Sequence, residues 1–369
     1  METTNNINSN LISIIVPVYN GQNFIDRCVR SIQDQTYSNW ELLLMVGASS
    51  DKSLEICDEW QRKDKRIRTF HSTTKHGVSA RRNMGLREAS GAYITFVDVD
   101  DWLLPDCLQR LYEDIQQPGV QIAGCGFISC TDEDWERQIS GKPHKDDIEI
   151  KSMSKSGGYQ KEADSETGYN PNVKFIAGKD FLREGILNRD TRCWSKLYKR
   201  ELIEGHFFRE DYTIGEDMLF VWETARDAEL ISSSEYAGYC YYHNVNGAMR
   251  GRFRPSDMDQ IRCWQFVLQS LQSENGKGEI YDTGVIIATA TILLISCMLV
   301  AGKLALLPGR ERRQYADLIK QCSGVLKDTL HIKGAYAGLD KSYRLKVSLY
   351  KRFPNLYLNL YHIISMTRT

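Results

Sequence analysis

Ala92-Tyr93-Ile94-Thr95-Phe96-Val97-Asp98-Val99-Asp100-Asp101 is the stretch of sequence that decides the fold. Its first six residues are uncharged, and β-branched and aromatic side chains dominate them, which is typical of a strand buried on both faces. The strand ends directly in an acidic run, and Pro105 then begins a helix. Parallel sheets bind their ligands at the carboxyl ends of the strands. The stretch therefore predicts an α/β fold with an acidic site at the end of a buried strand.

The same alternation of strand and helix precedes this stretch. Three earlier apolar runs predict strands: residues 11–18, 40–46 and 67–71. Helical spacing predicts helices between strands, among them residues 23–35 and 78–89. Connections of this length require right-handed crossovers, so we expect a doubly wound, Rossmann-like, mostly parallel sheet. The residues that follow its four strands should line one crevice: Tyr19, Gly47, His71 and Asp98.

The rest of the chain differs in composition. Residues 131–172 are rich in Lys, Asp, Glu, Ser and Gly and poor in aliphatic residues, which predicts a mobile loop or insertion with little secondary structure. After Pro255 the pattern is helical to the end. We therefore predict an α/β domain over residues 1–250 and a basic helical region over residues 251–369.

Composition excludes several classes of protein. The chain has 369 residues, of which 42% are hydrophobic and 26% charged, as in folded proteins. Its net charge of -1 gives no overall field that would indicate nucleic-acid binding. Ten cysteines without short paired spacings indicate reduced thiols and a cytoplasmic location. Residues 1–10 lack the basic and apolar regions of a secretory signal.

The acidic run has the composition of a metal site. Asp98 and Asp100 offer hard carboxylate oxygens, which Mg²⁺ or Mn²⁺ prefers, with further ligands from water and phosphate. The alternative is that the run caps the helix near Pro105, but capping explains only one aspartate. A second acidic pair, Glu216 and Asp217, offers a general base or, alternatively, an N-terminal pair on a following helix.

Five motifs in this order carry a resemblance to a known family. They are Pro17-Val18-Tyr19-Asn20, Gly77-Val78-Ser79-Ala80-Arg81-Arg82-Asn83-Met84-Gly85, the stretch from Tyr93 to Pro105, Trp194-Ser195-Lys196-Leu197-Tyr198, and Gly215-Glu216-Asp217. Together they resemble the family 2 glycosyltransferases of GT-A fold over residues 11–250. The bacterial non-processive enzymes of capsule, exopolysaccharide and O-antigen synthesis are the most similar. The Gln-x-x-Arg-Trp motif of processive synthases is not matched at residues 260–264.

This resemblance implies a function and a role for each matching residue. It implies an inverting, metal-dependent transfer from a nucleotide-sugar donor, most often a UDP-sugar, to a saccharide or lipid-linked acceptor. Asp217 would be the catalytic base, with Glu216 beside it, and Asp100 would bind Mg²⁺ or Mn²⁺, with Asp98 in the metal shell. The nucleotide would be bound by Pro17, Val18, Tyr19, Val46, Gly47, Arg82, Asn83, Asp98 and Val99.

One stretch departs from the family pattern. The family usually has Val-Asp-Asp-Gly-Ser-Thr-Asp after the second strand, whereas this chain has Met45-Val46-Gly47-Ala48-Ser49-Ser50-Asp51. A carboxylate there ordinarily accepts a hydrogen bond from the base, and leaving that donor unpaired costs about 1–3 kcal/mol. The departure favours a second hypothesis, a nucleotide-sugar-binding protein of the same fold with weak or lost catalysis. A third hypothesis is a nucleotidyltransferase, which would release pyrophosphate.

The C-terminal region suggests contact with a membrane. Residues 284–302 carry no charge, which predicts either a buried or membrane-resting helix or a membrane span. Residues 303–369 contain 13 Lys/Arg against 4 Asp/Glu, and residues 343–353 interleave aromatic side chains with cations. Such a pattern suits an anionic membrane surface, although a solvated charged face looks similar. We therefore expect a cytoplasmic protein that contacts the cytoplasmic face of the inner membrane.

Overall fold

A ladder of four parallel strands forms the first half of the sheet in a computed structural model of the chain. The strands are β1 (Asn8–Val18), β2 (Trp40–Val46), β3 (Ile67–His71) and β4 (Gly91–Phe96), in the order β3-β2-β1-β4. The structure describes residues 8–72, 77–140, 173–243, 252–275 and 281–366. The predicted strands and their parallel arrangement are confirmed, with ends that differ by up to three residues.

Three helices cover this ladder. They are α1 (Ile25–Gln33), α2 (Ser53–Lys63) and α3 (Val78–Glu88). Because the strands are covered, Ile14, Ile15 and Val16 of β1 are fully buried. Gly85 lets α3 approach β1 closely, since a Cβ atom there would lie 2.4 Å from Ile15 Cγ2. The predicted helices 23–35 and 78–89 are confirmed apart from their ends.

The second half of the sheet mixes parallel and antiparallel pairs. Along the chain its elements are β5 (Trp102–Leu103), α4 (Cys107–Ile115), β6 (Val120–Cys130), α5 (Asp132–Ile139), β7 (Val173–Ala177), α6 (Phe181–Glu184), β8 (Lys196–Lys199), α7 (Arg200–Ile203), α8 (Glu216–Asp227) and β9 (Leu230–Tyr242). The order continues β4-β8-β6-β9-β5, with β7 on β9. Among the described strands of this half, only β6 and β9 pair in parallel. The predicted doubly wound α/β fold is confirmed, and in the described ranges its parallel pairs are those of the first half and this one pair.

The prediction for residues 131–172 is wrong at its start. Helix α5 forms there because Thr131 and Asp134 make a capping box. Trp135 packs against Trp102 at 5.8 Å between ring centroids, and Gln138 accepts a hydrogen bond from the Trp102 indole. A short polar helix is thus stabilised by its cap and by aromatic contacts. Residues 141–172 lie outside the described part of the chain.

The C-terminal region is helical, as predicted. Its helices are α9 (Asp259–Asn275), α10 (Thr283–Leu306), α11 (Gly309–Arg312), α12 (Ala316–Thr329), α13 (Lys341–Arg352) and α14 (Pro354–Met366). Helix α10 packs against α9, α12, α13 and α14 and buries residues such as Leu294, Cys297 and Ala301. By length and composition α10 is the one helix in the described ranges that could cross a membrane, and the core helix of a water-soluble protein meets the same criteria. The packing of α10 in this bundle agrees with one of the two predictions for residues 284–302, that of a buried helix.

The chain separates into two compact units. The first comprises Met1–Glu210 and Phe220–Gly247, and the second comprises Asp211–Leu219 and Ala248–Thr369. The predicted boundary between residues 250 and 251 falls outside the described residues and stays a prediction. The ten cysteines all lie in the described ranges, where none forms a disulfide and all are buried.

Candidate functional site

The acidic run forms a turn, residues 98–101, that is tied to β9. Asp98 and Asp100 are partly exposed, whereas Asp101 is only 1% exposed. One carboxylate oxygen of Asp101 accepts a hydrogen bond from the Tyr239 hydroxyl at 2.6 Å, and the other accepts from the Tyr242 amide at 2.8 Å. The last aspartate of the run, Asp101, therefore fixes the turn, whereas Asp98 and Asp100 are partly exposed to solvent.

Capping does not explain this acidic turn. Helix α4 begins at Cys107, and its N-terminal capping position is Asp106. No side-chain hydrogen bond caps that helix. The capping alternative is therefore wrong, because the side chain of Asp101 is engaged with β9 instead.

Negative charge is concentrated in the turn. Burial, reinforced by the charges of Asp98 and Asp100, raises the pKa of Asp101 well above its usual range. Burial and the neighbouring Asp101 likewise raise the pKa of Tyr239. A cation placed at the turn would relieve the repulsion among these carboxylates.

Arg27 of α1 holds the turn from its other side. One guanidinium nitrogen donates to the Asp100 carbonyl oxygen and another to the Asp132 carboxylate, both at 2.8 Å. The guanidinium also lies 4.4 Å from the Trp102 ring centroid and 4.2 Å from that of Tyr242. Arg27 thus binds the backbone of the turn at Asp100 and not its carboxylate.

Arg82 and Asn83, both predicted nucleotide ligands, have different partners. Arg82 is 3% exposed and forms an ion pair of 2.9 Å with Asp98. The Asn83 amide is buried, donates to the Phe208 carbonyl oxygen and to Glu210, and accepts from the Phe208 amide. The structure thus brings Arg82 to the acidic turn, while Asn83 orders the segment at residues 208–210. Nucleotide contact by either side chain stays a prediction.

The loops after β1 and β2 are joined by hydrogen bonds. The Gly21 amide donates to Ser53 Oγ at 2.8 Å, and the Gln22 amide donates to Asp51 at 3.1 Å. Burial alone would raise the pKa of Asp51, but hydrogen bonds from Ser53 and Gln22 lower it below the usual carboxyl value. These bonds fix the loop that presents Tyr19, whose side chain is 50% exposed.

The Arg81 guanidinium, which the sequence did not single out as a ligand, lies beside Gly47, the residue that stands where the family carries an aspartate. A Cβ atom on Gly47 would lie 2.9 Å from an Arg81 guanidinium nitrogen. The same guanidinium lies 5.5 Å from the Tyr19 ring centroid. The Gly47 amide donates to the Val18 carbonyl oxygen at 2.9 Å, which holds the two strand ends together. The absent side chain at Gly47 therefore makes room for a cation beside an exposed aromatic ring.

Several predicted nucleotide ligands have buried side chains. Pro17, Val18 and Val46 are buried in the sheet. Val99 packs toward Gly21, where an added Cβ atom would lie 3.2 Å from its methyl groups. A parallel strand buried on both faces leaves only backbone atoms at its end, so side-chain contact from Val18 and Val46 is excluded by their burial.

An aromatic shelf lies next to the acidic turn and was also missed. The Trp194 ring stacks on Tyr239 at 4.3 Å and on Tyr241 at 5.7 Å, with interplanar angles of 15° and 12°. Arg192 lies 4.9 Å from the Trp194 ring centroid. Tyr239 also donates to Asp101, so this buried tyrosine links the shelf to the acidic turn.

A buried ion pair supports the shelf. Lys196 and Asp190 are each 1% exposed and bind one another directly. Ser195 has φ of 58°, and its carbonyl oxygen accepts from the Cys125 amide at 2.9 Å. A non-glycine residue in this conformation is held by its surroundings. The Trp-Ser-Lys-Leu-Tyr motif thus orients Trp194.

Glu216 and Asp217 open helix α8. Gly215 precedes them with φ of +87°, which favours glycine, and a Cβ there would lie 2.8 Å from Cys263 Sγ. Glu216 is 7% exposed, whereas Asp217 is partly exposed and accepts a hydrogen bond from the Met218 amide at 2.8 Å. Of the two carboxylates, Asp217 is the one that a substrate can reach.

The donor set of the acidic turn fits a divalent cation with few protein ligands. Asp98 and Asp100 provide partly exposed carboxylates, and the buried Asp101 fixes the turn that carries them. In the described ranges no group of three or more His, Cys, Asp or Glu residues is arranged to hold a metal ion. That excludes an all-protein cage from these ranges, and it suits Mg²⁺ or Mn²⁺, which commonly takes one or two carboxylates together with phosphate oxygens.

Comparison with known proteins identifies the relatives of the chain. A model of the family described as Glycosyl transferase family 2 matches residues 13–203. The uncharacterized glycosyltransferase EpsJ of Bacillus subtilis is 31% identical over 259 residues, which is 68% of this chain and 66% of EpsJ. The GalNAc(5)-diNAcBac-PP-undecaprenol beta-1,3-glucosyltransferase of Campylobacter jejuni is 29% identical, over 54% of this chain and 66% of that protein. The chain thus spans slightly under two thirds of either relative.

A solved structure shares the fold. It is that of S. aureus TarS residues 1–349 in complex with UDP-GlcNAc, with a TM-score of 0.64 and 16% sequence identity. The match covers 97% of this chain and 92% of that one. At this identity the likeness concerns the fold alone.

Proposed function

This chain belongs to glycosyl transferase family 2, and on that premise we propose that it transfers a sugar from a nucleotide-sugar donor to a saccharide or lipid-linked acceptor in bacterial surface polysaccharide synthesis. The observation that carries the proposal is the acidic turn at the end of β4, where Asp98 pairs with Arg82 and the neighbouring Asp100 is partly exposed. Diphosphate needs cations around it, and this turn can supply both an arginine and a metal site.

The donor base would bind between the ends of β1 and β2. Tyr19 offers an exposed ring on which a planar base can stack, and Arg81 offers hydrogen-bond donors beside it. The TarS structure contains UDP-GlcNAc. A UDP-sugar is therefore the donor to test first.

Mg²⁺ or Mn²⁺ would be held by Asp100, with Asp98 beside it, and would neutralise charge on the departing diphosphate. Arg82 orients Asp98, and Arg27 and Tyr239 hold the turn in shape.

The transfer would invert the anomeric carbon. Asp217 would accept the proton of the acceptor hydroxyl while that oxygen bonds to the anomeric carbon. The bond to the donor phosphate breaks, and the nucleoside diphosphate leaves with the electron pair. Asp217 suits this role because it lies at a helix N-terminus, which favours a charged carboxylate, and because it is more exposed than Glu216.

The aromatic shelf would bind a sugar ring of the acceptor. Tyr241 is 39% exposed, and the buried Trp194 ring stacks on it from within the protein. The Campylobacter jejuni relative is named for an undecaprenol-linked saccharide. An undecaprenol-diphosphate saccharide is therefore the acceptor class to test first.

The decisive experiment measures transfer with purified protein. A panel of UDP-, GDP- and dTDP-sugars is incubated with undecaprenol-diphosphate saccharides and Mn²⁺, and products are identified by mass. We expect one donor to be used strongly. Asp217→Asn and Asp100→Ala should each lower kcat by at least about 100-fold, whereas Asp211→Asn, an exposed carboxylate in the same segment, should not.

The departure at Val46 and Gly47 favours one alternative, a protein that binds a nucleotide-sugar without turning it over. That outcome would appear as micromolar donor binding in calorimetry with no product from any acceptor. Transfer to any lipid-linked acceptor at a rate lost in Asp217→Asn would exclude it.

A further inference from the structure

A basic pocket lies within the C-terminal helical unit. It has a volume of about 860 Å³ and is bounded by α11, α12 and the first turns of α14. Four cations line it, namely Arg312, Arg313, Lys320 and Lys327. None of the described residues that line it is acidic. None of them has a role in the proposed transfer reaction.

Arg312 is the buried member of this set. It is 7% exposed, and its guanidinium makes no hydrogen bond or ion pair with any residue that the structure describes. Arg27 and Arg82 are buried to a similar degree, and each binds a carboxylate. Burial lowers the pKa of Arg312, and no carboxylate offsets the effect. A buried cation without a counter-charge is costly, so this site favours a bound anion.

A second polar group points to the same ligand. The Ser323 hydroxyl is buried and has no hydrogen-bond partner among the described residues. Ser323 lies three residues after Lys320 and four before Lys327, so the hydroxyl and the two ammonium groups share one face of α12. A Cβ atom on Gly324 would meet nothing within 4 Å, which leaves open space beside them. Buried polar groups normally have partners, and an anion in this space would serve Arg312 and Ser323 together.

The start of α14 completes the lining. Pro354 and Asn355 form the first turn of this 13-residue helix, and both line the pocket. Amide groups at a helix N-terminus favour negative charge. Asn359, one turn later, adds a side-chain amide. Cations, a hydroxyl and a helix N-terminus therefore line the pocket from three helices, α11, α12 and α14.

We propose that this pocket binds a phosphate-class anion, held by Arg312 and Ser323 within a ring of lysine and arginine side chains. A planar guanidinium matches phosphate oxygens, and several cations suit a group of more than one negative charge. The phosphate could belong to a free or saccharide-borne phosphoryl group or to a phospholipid headgroup. The proposal goes beyond sugar transfer, and its test requires no donor.

The first arm uses inorganic phosphate and the full-length chain. Binding is measured by calorimetry, and thermal unfolding is followed in phosphate and in chloride at equal ionic strength. Arg312→Gln and Gly324→Glu should each weaken phosphate binding by about tenfold or more. Arg310→Gln, an exposed neighbour that does not line the pocket, should bind phosphate as the wild type does.

The melting temperatures in chloride and in phosphate distinguish a loss of phosphate binding from misfolding of the variant. In chloride, Arg312→Gln should melt at the same temperature as the wild type or higher, because the unpaired buried cation is gone. In phosphate the order should reverse, since only the wild type gains from binding. If phosphate raises both melting temperatures equally, the proposal is overturned.

The second arm identifies the source of the phosphate. Flotation compares vesicles of phosphatidylcholine alone with vesicles that also contain phosphatidic acid, with and without free phosphate as competitor. Loss of phosphatidic-acid binding in Arg312→Gln and Gly324→Glu, but not in Arg310→Gln, would assign the pocket to a lipid headgroup. Phosphate binding with flotation unchanged in these variants would assign it to a soluble or saccharide-borne phosphoryl group. If Arg312→Gln matches the wild type in both arms, the pocket does not bind phosphate.

Discussion

Arg81 places a hydrogen-bond donor at the end of β2, where the family pattern has an acceptor. The family pattern has a carboxylate where this chain has Gly47, and the Arg81 guanidinium fills the space that such a side chain would need. A carboxylate accepts a hydrogen bond from a base, whereas a guanidinium donates to base or phosphate oxygens. Where the family pattern has a carboxylate that accepts hydrogen bonds, this chain thus has the Arg81 guanidinium, which donates them.

Arg81→Met should therefore weaken nucleotide binding. We expect the dissociation constant for the preferred nucleoside diphosphate to rise about tenfold, since one charge-assisted hydrogen bond is worth about 1.5–3 kcal/mol. Calorimetry measures it. Arg87→Met, an exposed arginine on the same helix, is the matched control. Equal affinity in both variants would show that Arg81 does not contact the nucleotide.

Tyr239 is a buried hydroxyl that supports the acidic turn. It accepts from the Asp98 amide at 3.1 Å and donates to Asp101 at 2.6 Å. Tyr239→Phe leaves the buried Asp101 carboxylate without one donor, so we expect the free energy of unfolding to fall by about 1–3 kcal/mol. Urea unfolding measures the change. Tyr241→Phe, whose side chain is 39% exposed, should change it by less than about 0.5 kcal/mol.

At the scale of elements, the hydrophobic pattern of the sequence predicted those strands and helices whose contacts are with neighbouring elements of the chain. The strands β1 to β4 and the helices between them follow from hydrophobic period, because each packs against its chain neighbours. The parallel pair β6 and β9 joins residues about 110 positions apart, and β5 has only two residues. These strand pairs depend on contacts between residues distant in sequence, so the hydrophobic period of a single segment does not predict them.

The candidate site, too, was predicted from the sequence only in part. Its location at strand ends followed from the alternation of strands and helices, which brought Arg82 to Asp98. Arg81 and Trp194 were missed because their roles depend on residues distant in sequence, Gly47 and Tyr239. The adjacent arginines at residues 81–82, read together with a glycine in place of an aspartate, were the available signal.

The free energy of unfolding of the protein should depend on pH because of Asp114, a residue of helix α4. Burial, with a smaller contribution from Glu113, raises the pKa of Asp114 from 3.8 to about 6. Folding then favours the protonated carboxyl, so this contribution to stability is present below about pH 4 and is lost as pH rises through about 6.

Asp114→Asn should remove that dependence. At pH 7.5 the variant should be more stable than the wild type by about 1–2 kcal/mol, allowing for solvent screening of a partly exposed group. At pH 4 the two should be equal. Urea unfolding across this pH range measures both values, and Glu55→Gln, an exposed carboxylate on α2, is the control. A gain at pH 4 as large as at pH 7.5 would contradict the assignment.

At the scale of the whole molecule, the C-terminal helices combine apolar and cationic surface. On α14, Tyr357 and Leu358 are buried against the bundle, while Ile363 and Met366 are 60% and 67% exposed. Helix α13 adds Lys and Arg, and residues 303–369 carry 13 Lys/Arg against 4 Asp/Glu. We infer that the exposed surface of α13 and α14 contacts an anionic bilayer. Exposed apolar side chains together with a surplus of cations match the headgroup layer of such a bilayer.

The full-length chain should therefore float with vesicles that contain phosphatidylglycerol and not with phosphatidylcholine alone. The double variant Ile363→Ser, Met366→Ser should lose at least about tenfold in vesicle affinity, since each buried side chain contributes about 1.5–3 kcal/mol. Ile139→Ser, at a position 58% exposed on α5, should bind as the wild type does. Binding should also weaken at 1 M salt, where screening shortens the Debye length to about 3 Å. Affinity that is independent of both salt and the two substitutions would mean that another surface carries the contact, and it would leave α14 as an ordinary solvent-exposed helix.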